Sequence, residues 1–97
     1  MIMVVVSYDV NTMTKEGRKR LRLVAKTCKD YGQRVQHSVF ECLVDPVQLN
    51  SLRNKLMEIY SPEKDSLRFY LLGNNWKKRV DHLGCKAPVD PEGVLLV

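Results

Sequence analysis

The 97-residue chain has too few cysteines, in the wrong arrangement, for a covalent framework. Cys28, Cys42 and Cys85 are an odd number with no Cys-x-x-Cys spacing, and neither His37 nor His82 completes a zinc set with them. Buried, reduced thiols are the expectation. No apolar run approaches the roughly 20 residues needed to span a bilayer, and no basic segment precedes the first apolar run, so a cytoplasmic protein with no membrane partner is expected. No low-complexity tract interrupts the sequence, and only residues 86–93 lack a folded pattern. The Gly-aromatic-Gly/Ala-Phe string of RNA-recognition domains is also missing, which argues against a base-stacking RNA regulator.

What is present fits one small domain, residues 1–97, with a modest core: 44% of residues are apolar and 28% charged. Sixteen basic residues stand against eleven acidic ones, a formal charge of +5 that mildly favours a polyanionic partner. A domain of this size buries little surface on its own, so a dimer is a reasonable expectation.

Met1–Tyr8 is apolar on both parities and rich in β-branched residues, the pattern of a central strand. It ends in Asp9, which shares parity with Val5 and Ser7 while Tyr8 points the other way. A carboxylate at a sheet rim, ahead of the turn-like Val10-Asn11-Thr12, suits a divalent metal or acid–base work; the alternative is a helix cap or turn former.

Lys15–Tyr31 reads as an amphipathic helix with Leu21, Val24, Ala25, Cys28 and Tyr31 on its apolar stripe, Thr14 as N-cap and Gly32 in the position of a terminating C′ glycine. Its polar flank carries Lys15, Arg18, Lys19, Arg22, Lys26 and Lys29 within an arc of about 100°, with no acid among them. Such a row is either a solvated face or a phosphate contact surface. Arg20 projects from the other flank beside Glu16 and Thr27 and needs a separate role.

Arg34–Val44 is a second β region, one long strand or two short ones, since no Gly, Pro or Asn marks a turn inside it. Asp45-Pro46 opens a second helix as N-cap and N1, with Leu49, Leu52, Leu56, Ile59 and Tyr60 buried. Ser66–Leu72 reads as a strand ended by Gly73-Asn74-Asn75, and Trp76–Leu83 as a returning strand carrying Lys77, Lys78 and Arg79. The four terminal aliphatics, Val94–Val97, predict an added strand. The order suggests an α+β, ferredoxin-like β-α-β-β-α-β sandwich with an extra C-terminal strand.

A strand ending Tyr8-Asp9, a basic helix, Gly-Gln-Arg-Val-Gln-His-Ser-Val-Phe-Glu at 32–41 and Asp-Ser-Leu-Arg-Phe-Tyr-Leu-Leu-Gly-Asn-Asn-Trp at 65–76 together resemble the small CRISPR-associated protein two family. The resemblance spans essentially the whole chain. It implies a ferredoxin-like homodimer in which a tail of about residues 86–97 is exchanged with the partner protomer. It also implies that the two copies of Asp9 face a shared cleft and hold one Mg²⁺ or Mn²⁺ between them. Such an ion prefers oxygen ligands, keeps much of its water and polarises a phosphodiester.

By the same resemblance Tyr8, Arg34, Ser38 and Phe40 join Asp9 at the catalytic cleft. Arg34 would bind phosphate or transition-state charge, Ser38 orient water or phosphate, and Phe40 stack on a base or wedge the dimer interface. Arg20 and Arg22 correspond to the family's helix arginines. Against these stand plain alternatives: Phe40 in the core, Tyr8 merely packed, Arg34 paired with Asp30. His37 and Glu41 are set aside as general bases because parity places them opposite Ser38 and Phe40. The implied function is a subunit of CRISPR spacer acquisition with metal-dependent endonuclease activity on RNA or DNA. The alternative is a silent dimeric scaffold between the CRISPR integrase subunit and protospacer DNA, held through the basic helix face, Arg20 and Lys77–Arg79.

Overall fold

The computed structural model describes residues 1–84; the terminal strand and exchanged tail expected from Val94–Val97 lie outside the described residues. β1 (Ile2–Asp9), α1 (Lys15–Lys29), β2 (Gly32–Gln36), β3 (Val39–Val44), α2 (Pro46–Ile59) and β4 (Ser66–Gly73) follow in order. The strands form one antiparallel sheet in the order β2-β3-β1-β4. This is the α+β ferredoxin-like arrangement expected, with β1 central and paired on both edges.

Alternation sorts the sheet. Val4, Val6 and Tyr8 of β1 and Phe40, Cys42 and Val44 of β3 are fully buried with Leu21, Val24, Ala25 and Cys28 of α1 and Leu52 and Leu56 of α2. Both helices therefore cover one face. On the opposite parity Met3 is fully buried, but Val5, Ser7 and Asp9 with Val39, Glu41 and Leu43 are half-buried or exposed. Each buried aliphatic is worth about 1.5–3 kcal/mol, so the core fixes which way every strand faces. Cys28 and Cys42 are buried free thiols.

Both helix starts form as the sequence requires. Thr14 accepts the Gly17 N–H at 3.0 Å, and Asp45 and Gln48 complete a reciprocal capping box. The end of α1 differs from expectation. Asp30, in right-handed helical conformation, is the C-cap, and Gly32 instead begins β2. Its role is close approach: a Cβ on Gly32 would lie 1.9 Å from the Glu41 carbonyl oxygen.

The 34–44 region resolves into two strands. A turn at His37-Ser38 closes the hairpin, with a bulge between Arg34 and Gln36. The turn lacks glycine or asparagine because side chain and neighbour stabilise it: Arg34 Nε donates to the His37 carbonyl at 2.8 Å, and the Tyr8 N–H donates to the Ser38 carbonyl at 2.9 Å.

The strand expected over Trp76–Leu83 is corrected by the structure. β4 ends at Gly73, whose φ of 78° turns the chain, and Trp76–Lys78 form a single turn of 3₁₀-helix. Three successive cations, Lys77-Lys78-Arg79, offer no apolar alternation to seat a strand on the core. Among the described residues no helix is long and apolar enough to cross a membrane.

Candidate functional site at the β1 rim

Asp9 is the last residue of β1 and is exposed. On one side it pairs with Ser66 of β4; on the other, the Ser38 turn caps the ladder through the bond to Tyr8. Ser38, Asp9 and Ser66 thus share the rim. Among the described residues no hydrogen bond or ion pair engages the Asp9 carboxylate. It offers a free hard-oxygen donor on the sheet face that the helices do not cover.

Tyr8, one residue earlier, points into the core and is 1% exposed. Its hydroxyl donates to Asp65, whose side chain has no exposure at all. Asp65 also takes a fork from Arg20, Nε at 2.8 Å and a terminal nitrogen at 3.0 Å, and the Ser61 N–H at 2.9 Å. Burial disfavours this carboxylate, but the bonds from Arg20, Tyr8 and Ser61 outweigh it and hold the group below the usual range. Burial first, then the adjacent Asp65 carboxylate, push the Tyr8 phenol up. The network ties α1, the end of β1 and the α2–β4 connection together beneath the rim.

Arg20 therefore has the separate role its off-stripe position demanded: it binds Asp65, not solvent. Asp65 was not among the site residues suggested by sequence. The available signal was an acid immediately before β4, one register step from the strand end carrying Asp9.

Arg34 is exposed, and its guanidinium lies 5.6 Å from the Phe40 ring centroid while bonding the His37 carbonyl, not Asp30. Phe40 itself has no exposed surface in a single chain. Ser38 is half-buried in the turn. Glu41 lies half-buried on the uncovered face, where burial raises its carboxyl above the usual range and the His82 charge opposes the rise. The structure thus brings Asp9, Ser38 and the hairpin that carries Arg34 to one end of the sheet. Tyr8 and Arg20 lie behind it, and Lys77–Arg79 form a separate segment after β4.

Arg18, Arg22, Lys26 and Lys29 line the α1 side of a groove whose opposite wall carries Arg34 and His37. A cation row running from beside the rim along one helix presents a surface for phosphates.

This frame and rim can be set beside known proteins. The family model described as CRISPR associated protein Cas2 matches residues 1–80. The chain belongs to the Cas2 family. The CRISPR-associated endoribonuclease Cas2 of Chlorobaculum tepidum is 59% identical over 96 residues, covering 99% of this chain and all of the relative. The CRISPR-associated endonuclease Cas2 of Halalkalibacterium halodurans is 54% identical over 95 residues, covering 98% and 99% of the two chains. The crystal structure of Streptococcus pyogenes Cas2 at pH 6.5 superposes with a TM-score of 0.78 at 60% identity, over 84% of this chain and 99% of that one. Similarity over nearly full length places the fold of this chain within the Cas2 pattern.

Proposed function

We propose that this Cas2-family chain is a nucleic-acid-processing subunit of CRISPR spacer acquisition, a divalent-metal-dependent endonuclease that works as a homodimer. The observation that carries this reading is the unpartnered carboxylate of Asp9 at the rim of β1. The names of the relatives, endoribonuclease and endonuclease, supply the reaction class.

Among the described residues no cluster of three or more His, Cys, Asp or Glu could hold a metal within one chain. A hydrated Mg²⁺ or Mn²⁺ takes one or two carboxylates and keeps several waters, so Asp9, joined by the Asp9 of a second copy, would suffice to hold one. An ion there supplies positive charge to polarise a phosphodiester. The protein's own residues do the rest. Asp9 would hold the ion with Ser38 on the same rim, and Arg34, whose Nε and one terminal nitrogen are held by the His37 carbonyl, would turn its remaining N–H groups and its charge to phosphate oxygens. Tyr8, Asp65 and Arg20 act from behind as positioning residues.

The experiment is cleavage of labelled single- and double-stranded RNA and DNA by wild type and Asp9→Ala, with Mg²⁺, Mn²⁺ or EDTA. Cutting that needs both metal and Asp9 supports the reading; identical background in both proteins rejects it.

A second reading rests on the basic flank of α1: a dimeric scaffold holding protospacer DNA against the integrase subunit. It predicts that Asp9→Ala retains spacer acquisition while charge reversal along α1, or at Lys77–Arg79, abolishes it.

A further inference from the structure

Six cations decorate one flank of α1, but the fold does not treat them alike. Arg18, Arg22, Lys26 and Lys29 line a groove of ≈ 560 Å³ between α1 and the β2–β3 hairpin, and Arg34 and His37 face them from the hairpin. Lys15 and Lys19 stay outside it. Leu21 and Ala25, both nearly buried, contribute an apolar floor. Five fixed cations thus line the space against one acid, Asp30. Two of them are oriented by carbonyls that leave their charge uncompensated: Arg18 donates to Thr12 at 3.1 Å and Arg34 to His37 at 2.8 Å. The ion pair formed among the described residues, Arg20–Asp65, is elsewhere.

The spacing is informative. Arg18, Arg22 and Lys26 succeed one another four residues apart, about 6 Å along the helix axis, a step comparable to that between successive phosphates of one strand. The apolar floor of Leu21 and Ala25 lies between the two charged walls. One sugar–phosphate chain can lie between them, with phosphates against the cations and sugars over Leu21 and Ala25. Thr12, three residues beyond Asp9 in the chain, also lines the groove.

We propose that the groove between α1 and the β2–β3 hairpin binds the phosphodiester backbone of a single nucleic-acid strand. The inference rests on the nucleic-acid reading of the chain and not on cleavage. It assigns different work to the inner and outer halves of the basic flank, and it makes the hairpin tip part of the binding surface.

The test is fluorescence anisotropy in EDTA with labelled dT₁₂, U₁₂ and a 12-base-pair DNA duplex. Two double reversals carry the same charge change: Arg22→Glu with Lys26→Glu inside the groove, and Lys15→Glu with Lys19→Glu outside. His37→Glu probes the hairpin wall, and circular dichroism with thermal melting confirms that each variant is folded. The inner pair should weaken dT₁₂ and U₁₂ binding at least ~fivefold more than the outer pair. It should also flatten the salt dependence by about 1.4, roughly 0.7 for each single-strand phosphate that is no longer neutralised. His37→Glu should also weaken both single strands, because it places a like charge opposite phosphate.

Equal losses from the two pairs would reduce the effect to net charge and overturn the groove. So would a duplex that binds more tightly than either single strand and loses most on inner-pair reversal. A tenfold preference between dT₁₂ and U₁₂ would overturn backbone recognition in favour of sugar recognition. Metal is absent throughout, so a protein that binds in the groove yet cuts nothing would defeat only the nuclease reading.

Discussion

Tyr8 and Asp9 are chain neighbours with opposite fates. Tyr8 enters the helix-covered side of the sheet, where its hydroxyl, the Asp65 carboxylate, the Arg20 fork and the Ser61 N–H satisfy one another. Asp9 leaves on the other side with a carboxylate that nothing among the described residues engages. The contrast extends across the sheet: the helix-covered face seals Tyr8 and Asp65 into one bonded network, while the other keeps Asp9 free, Glu41 half-buried and Tyr70 exposed. Period-two alternation lets a single strand supply both faces. Stability is therefore concentrated on one parity of β1 and chemistry on the other, and substitutions at 8 and 9 should separate the two cleanly.

The largest effect is expected at the hub of the satisfied side. Asp65→Asn removes the partner of a guanidinium that is only 17% exposed while leaving the donors aimed at it. Asn keeps an acceptor oxygen but not the charge, so Arg20 loses its counter-ion and the fold is destabilised, which urea titration will measure as a lower midpoint with an unchanged slope. A loss below ~1 kcal/mol would mean that the network is incidental to the fold.

Asp9→Asn should give the opposite signature. Metal-dependent cleavage is expected to fall by at least ~100-fold, the scale of losing a group that manages developing charge. The melting temperature should stay put, because exposed substitutions away from special features move stability by only about ±0.5 kcal/mol. A variant that loses stability along with activity would place Asp9 in the framework and erase the contrast.

Much of this division was legible in the sequence. Parity along Val5-Val6-Ser7-Tyr8-Asp9 alone separates the two residues, and the caps at Thr14 and Asp45 set the helix starts. Features depending on distant partners were not legible. Tyr8 and Asp65 are 57 positions apart, so neither predicts the other. The His37-Ser38 turn carries no glycine, proline or asparagine; it is held by Arg34 and by the end of β1. Trp76–Leu83 offered bulk and charge but no alternation. The six-cation stripe was visible as a stripe, yet only the hairpin's position divides it into groove and outer face.

Acid titration sharpens the same contrast with a smaller effect. Asp65 has a lowered pKa in the folded chain, so its contribution is complete above the ordinary aspartate value of about 4 and is lost as pH falls through the lower folded value. Wild type should lose stability along that limb, and Asp65→Asn should flatten it; parallel limbs would assign acid sensitivity to other carboxylates.

The smallest shift is expected from Tyr8→Phe, and it tests whether the buried side merely supports the rim or also sets it. The ring still fills the core, so the transfer energy survives. What is lost is one donor to a carboxylate that keeps the Arg20 fork and the Ser61 N–H, a cost of about 1–3 kcal/mol for a bond to a charged group. The Tyr8 phenol is raised in the folded state, so its contribution is present below the ordinary tyrosine value near 10 and lost as pH rises through the folded value; Phe removes that alkaline limb. If Tyr8 is a positioning residue, cleavage at saturating metal should fall by less than about tenfold, with the metal concentration for half-maximal activity rising as the Asp9 rim loosens. If the hydroxyl took part directly in the reaction, activity would collapse toward that of Asp9→Asn at every metal concentration, and the division between the two neighbours would fail.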